Sequence, residues 1–127
     1  MADMTLIGGR VIQFDAAVVT ALADHGPEAG EAITLVYGLS PGVLETREPA
    51  ERLLARVGVA GRFARLTRPD GAPVWINGGA VISIAPPLPD LYPRNAKAVI
   101  TTAALVQAVV ETPAAVRIAL DARGGKL

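Results

Sequence analysis

Pro69-Asp70-Gly71-Ala72-Pro73-Val74-Trp75-Ile76-Asn77-Gly78-Gly79-Ala80-Val81-Ile82-Ser83-Ile84 reads as turn, strand, turn, strand. Pro69 presets φ, Gly71 supplies a position for positive φ, and a β-branched and aromatic run leads to a second turn at Asn77-Gly78-Gly79. A weaker version of the phrase stands earlier in the chain: Gly9 aligns with Gly71, Ile12 with Val74, Phe14-Asp15 with Ile76-Asn77, and Val18 to Leu22 with Ala80 to Ile84, at one constant offset. The chain therefore reads as two copies of one unit, residues 1–60 and 61–127. A period this long with two copies points to duplication of a domain-sized unit and not to a solenoid.

Each copy spells a small antiparallel β-meander followed by a short helix. In the first, strands are expected at Met4 to Ile7, Val11 to Phe14, Val18 to Ala23, Glu31 to Tyr37 and Val43 to Glu45, with a turn at Gly8-Gly9. The period then changes: Pro49 suits a first helical turn, and Leu53, Leu54 and Val57 form one stripe before Gly58. The second copy repeats this with Phe63 to Arg68, Pro73 to Ile76, Ala80 to Ala85, Lys97 to Thr102 and Leu105 to Glu111. Thr112-Pro113 caps a helix carrying Val116, Ile118 and Leu120. Glu31 aligns with Lys97 and Glu45 with Glu111 at an offset four residues longer, which places one insertion at Pro86 to Pro93. The expected fold is mainly β with two short helices, the copies related by an approximate two-fold.

The 127 residues suit one domain or two very small ones, and half of them alone would be marginal. Twelve Lys and Arg balance twelve Asp and Glu, so no net field draws in nucleic acid or an acidic membrane. Cysteine is absent, which removes disulfides and thiolate metal sites. Met1-Ala2-Asp3-Met4 carries no secretion-signal pattern, and Ala98 to Val110 is too short and too interrupted for a membrane helix, so a cytoplasmic chain without membrane insertion is expected. The apolar fraction is 51% although aromatics are only 4%, so its mass is Ala, Val, Leu and Ile. More apolar surface than one small core can hide favours self-association or a permanent protein partner.

Catalytic chemistry finds little purchase. His25 is the only histidine and sits in a Gly/Pro-flanked loop. Ser40 and Ser83 lack a nucleophile context, and Asp15, Asp24, Asp70 and Asp90 stand at turns, where Asp binds its own backbone. Glu45 and Glu111 precede the two helices, a favourable place for a negative charge. Gly8-Gly9 and Gly78-Gly79 carry no phosphate-loop pattern. These residues point away from an enzyme, and no cofactor, metal or small-molecule substrate is expected. Arg62, Arg65 and Arg68 with Phe63 resemble a single-strand nucleic-acid face in composition, but strand alternation turns Arg65 away from the other two.

The two copies differ in two places suited to contact. Ile12 and Phe14 align with Val74 and Ile76 as core positions, while the alternate position holds Gln13 in one copy and Trp75 in the other. Trp75 is thus expected to face outward as a binding anchor, with packing under its own loop or against the first copy as the alternative. The insertion, with Pro86, Pro87, Leu88, Pro89, Leu91 and Tyr92, combines four prolines and an apolar side; it reads as a stiff arm that docks on a neighbour or folds back on its own sheet.

Arg65-Leu66-Thr67-Arg68-Pro69-Asp70-Gly71, Val74-Trp75-Ile76-Asn77 and Val110-Glu111-Thr112-Pro113 together resemble the FlbD/SwrD-like family of small motility-associated proteins. The resemblance covers the second copy well and the first loosely, where Leu6-Ile7-Gly8-Gly9 and Phe14-Asp15 stand in for the motif. It implies a non-enzymatic accessory role near the flagellar motor. A structural or protein-interaction module inside a larger homo- or hetero-assembly is the expected function, with flagellar or swarming-motility accessory and phage virion component as alternatives.

Overall fold

A computed structural model describes residues 2–15, 18–24, 34–39, 43–57, 60–88 and 91–122. The protein is mainly β, with ten strands in three antiparallel sheets among the described residues. In chain order these are β1 (Ala2–Thr5), β2 (Val11–Phe14), β3 (Ala21–Asp24), β4 (Thr34–Tyr37), β5 (Leu44–Thr46), helix α1 (Ala50–Val57), β6 (Phe63–Thr67), β7 (Pro73–Asn77), β8 (Val81–Ala85), β9 (Ala98–Thr102), β10 (Val106–Val109) and helix α2 (Pro113–Asp121). Five strands and one helix thus occur in each half.

The local chemistry of the turns explains the strand ends. Gly9 and Gly71 have φ of +88° and +90°. Around each, the same pair of backbone bonds closes the hairpin: Gly9 N–H donates to Leu6 and Leu6 N–H to Arg10, while Gly71 N–H donates to Arg68 and Arg68 N–H to Ala72. Asp70 Oδ1 accepts from Ala72 N–H at 2.9 Å, an Asx turn that holds the second hairpin. The Asn77-Gly78-Gly79 turn is a 3-10 turn over Gly78–Ala80, capped by Asn77 Oδ1 accepting from Gly79 N–H. In α2, Thr112 accepts from Ala115 N–H, and Pro113 occupies the first turn, where a missing N–H costs nothing.

The pairings join into one series. β1 pairs with β2, β8 with β9 and β9 with β10, and the central sheet runs β5-β4-β3-β7-β6. The Leu6–Thr46 bridge links the end of β1 to β5, and Val110 N–H donating to Thr67 O at 2.9 Å links the end of β10 to β6. The resulting order is β2-β1-β5-β4-β3-β7-β6-β10-β9-β8.

The two halves meet where β3 pairs antiparallel with β7, Ala21 opposite Ile76, Leu22 opposite Trp75 and Ala23 opposite Val74. Both faces of this central sheet are covered. Leu22, Val36, Phe63 and Trp75 face a core that includes Met4, Phe14, Leu53 and Leu54. Ala21, Ala23, Ala64, Leu66, Val74 and Ile76 face a second core with Ile100, Val109, Val116 and Leu120. A strand between two cores reads as a continuous apolar run, which is why Val74 to Ile76 shows no polar alternation.

Several sequence expectations shift. Val18 stands in a 3-10 turn, because its N–H donates back to Asp15 O at 3.1 Å, and β3 starts at Ala21. Ile118 is exposed: it lies two residues from both Val116 and Leu120, on the opposite side of α2. Glu111 accepts from Thr67 N–H through both carboxylate oxygens, at 3.0 and 3.1 Å. In the first half the matching acceptor for Thr5 N–H is Glu48 and not Glu45. Glu48 stands two residues before α1 as Glu111 does before α2, so these two stretches correspond, and the longer offset that aligns Glu45 with Glu111 is not the one the backbone follows.

Candidate interaction surface

Trp75 is the first correction. Alternation does separate it from Val74 and Ile76, but the face it occupies is the other core: it is 8% exposed and packs with Leu22, Phe63 and residues of the first half. The expected outward anchor is a buried one, because β3 brings the first half against that side of β7. The Arg65 guanidinium lies over the Trp75 ring, 5.9 Å from its centroid, as a cation–π partner.

The Pro86 to Pro93 insertion divides between its two expected placements. Tyr92 folds back, half-buried against Ala96, Val99 and Ala108 on the outer face of β9 and β10. Pro86 is exposed and Pro87 half-buried, while Leu88 and Leu91 are 62% and 68% exposed. Pro89 and Asp90 lie outside the described residues. The segment is not a simple extended arm. Leu91 N–H turns back to Leu88 O at 3.4 Å, Ala96 N–H binds Pro93 O at 3.0 Å, and Asn95 Nδ2 reaches Pro69 O at 2.7 Å, tying the loop to the β6–β7 turn. Its two leucines are thus presented on a tethered loop.

Sequence reasoning left unmarked the other exposed apolar side chains: Val11, Val18, Val43, Ile82, Val106 and Ile118. Val11 stands on β2 and Ile82 on β8, the strands at the two ends of the series. Their signal was present in the aligned copies, because Ile82 corresponds to Thr20 and Val11 to Pro73, but only the pairing shows which copy is covered.

The remaining candidates disperse. Arg68 Nη2 pairs with Asp70 at 2.8 Å within its own turn, Arg62 is exposed ahead of β6, and Arg65 lies over Trp75, so the three arginines are not brought together. Ser83 is exposed on β8, and His25, Ser40 and Asp90 lie outside the described residues. Among the described residues no group of three His, Cys, Asp or Glu side chains is placed to hold a metal ion, and no helix is long and apolar enough to cross a membrane. Comparison with known proteins finds no matching family model, no matching curated protein and no matching solved structure.

Proposed function

We propose that the chain is a non-catalytic structural or protein-interaction module that works inside a larger assembly. The observation that supports it most is the apolar surface left outside two filled cores: Leu88 and Leu91 on the tethered loop, with Val11 and Ile82 on the end strands. Exposed apolar groups on strand edges and on a tethered loop suit an interface, and leaving them in water has a cost that association removes. The two-copy organisation, 1–60 and 61–127, belongs to the same proposal. It is supported by the matched Gly9 and Gly71 turns and by the Glu48 and Glu111 carboxylates that accept from Thr5 and Thr67 N–H.

Light scattering across a range of concentrations tests this. A mass above the 13.1 kDa of one chain is expected. A chain that stays at that mass throughout, and that also co-purifies with no stoichiometric partner, overturns it. A second form of the proposal, an accessory protein of bacterial motility, is supported by Leu66-Thr67, Val74 to Asn77 and Glu111-Thr112-Pro113. A flagellar component as the stoichiometric partner is its expected result, and a partner of another kind removes it.

A further inference from the structure

Among the described residues, the three sheets as linked by the Leu6–Thr46 bridge and the Val110–Thr67 bond end at β2 and β8. At its centre, β3 of the first half pairs with β7 of the second. The offset that aligns Gly9 with Gly71 also aligns β3 with β8 and β7 with β2. The counterpart of the central ladder is therefore β8 against β2, with Ser83 opposite Phe14, Ile84 opposite Gln13 and Ala85 opposite Ile12. Among the described residues this pairing does not occur within the chain.

The exposures follow that difference. Thr20, Ala21 and Ala23 are 8%, 0% and 1% exposed beside β7, whereas their counterparts Ile82, Ser83 and Ala85 are all exposed. On the other strand Trp75 is buried beside β3, while Gln13, its counterpart, is exposed. Side-chain sizes also carry over. The central ladder sets small Ala21 and Ala23 against large Ile76 and Val74; the unpaired edges would set small Ser83 and Ala85 against large Phe14 and Ile12.

We infer that β8 of one copy pairs antiparallel with β2 of a second copy, a head-to-tail contact that reuses the register of the β3·β7 ladder. The occupant is a second copy because both complementary edges, with matched register and sizes, are carried by this one chain. An open strand edge presents a row of N–H and C=O groups that another strand satisfies. The contact is heterologous, so each copy keeps one free edge and assembly proceeds to a ring or a filament. This inference rests on the assembly proposal above and names its partner.

The absence of cysteine makes a clean test. The bond from Asn77 N–H to Thr20 O fixes the phase of the β3·β7 ladder, so Leu22 and Trp75 are the next hydrogen-bonded position and Ala23 and Val74 form a non-hydrogen-bonded pair, as would Ala85 and Ile12. Such pairs bring Cα atoms to about 4.5 Å, within reach of a disulfide. Two full-length variants, Ile12→Cys and Ala85→Cys, are mixed and oxidised. A disulfide between the two different chains, with neither variant linked to itself, is expected. Ile12→Cys chains linked to each other, or no link in the mixture, overturn the head-to-tail pairing. So does a bond within one chain of the double variant without links between chains, which would mean that the edges close on themselves. Val11→Lys and Ile82→Lys, both at positions 60% exposed, provide a variant pair that does not touch the core. Each is expected to return the solution mass to 13.1 kDa with an unchanged circular dichroism spectrum; an unchanged multimer overturns the inference. A multimer that survives these changes leaves the assembly proposal standing, whereas a wild-type chain of 13.1 kDa with no partner removes both.

Discussion

Replacing Trp75 by Ala removes the largest side chain at the junction of the two halves. A tryptophan buries about 150–250 Å², and at about 25 cal/mol per Å² this corresponds to about 4–6 kcal/mol. A compact unfolded chain already hides part of that area, which lowers the figure by about 10–40% to about 2–5 kcal/mol, a span that includes the about 3–5 kcal/mol usual for large aromatic truncations. The Arg65 guanidinium loses its ring, a change of about 0.5–1 kcal/mol at an exposed site. For a domain whose whole stability is about 5–15 kcal/mol, the expected loss of about 4 kcal/mol is severe. Urea unfolding followed by far-ultraviolet circular dichroism reads it directly, and is independent of the only tryptophan in the chain. With a slope of about 2 kcal/mol per molar, the midpoint falls by about 2 M. A residue on a free surface would lose less than about 0.5 kcal/mol. A shift of that small size, with association weakened instead, would refute the placement of Trp75 between β3 and the first core.

Three further changes probe the same frame. Gly38 has φ of +104°, and an added Cβ would stand 2.5 Å from the Val18 carbonyl oxygen, so Gly38→Ala is expected to cost more than the about 2 kcal/mol of left-handed strain alone. Gly9→Ala meets nothing within 4 Å and should cost about 1–2 kcal/mol; thermal melts that rank the two equally would count against the approach of Gly38 to the Val18–Thr20 segment. Glu111→Ala removes the acceptor for Thr67 N–H and should lose about 1.5–3 kcal/mol in urea unfolding, with Glu111→Gln recovering part of it. Asn77→Ala leaves the Val19 carbonyl without its donor at 3.1 Å and should cost about 1–3 kcal/mol; a loss under about 0.5 kcal/mol would show that water replaces the amide there.

Local structure was legible where it rests on neighbouring residues. Pro-Asp-Gly and Gly8-Gly9 specify their turns through φ, Thr112-Pro113 specifies a helix start, and alternation sorts Val74 and Ile76 from Trp75. Alternation says which residues share a face and not what covers that face. The β3·β7 ladder joins residues far apart in sequence, so the burial of Trp75 depended on a pairing that no local pattern encodes. The same limit hid the contrast between buried Thr20 and exposed Ile82, which is a contrast of partners and not of propensity. Glu45 aligned with Glu111 by letter, yet Glu48 reaches Thr5 N–H, because a carboxylate's role follows the path of the backbone before the helix.

Amide hydrogen exchange measured as the protein concentration is raised addresses the two edges themselves. Exchange in Val11–Phe14 and Val81–Ala85 is expected to slow as copies associate, while Ala21–Asp24 and Pro73–Asn77 stay slow at every concentration, since their ladder lies within the chain. Fast exchange on both end strands at all concentrations, or equally slow exchange at the lowest, would contradict an assembly built through β2 and β8.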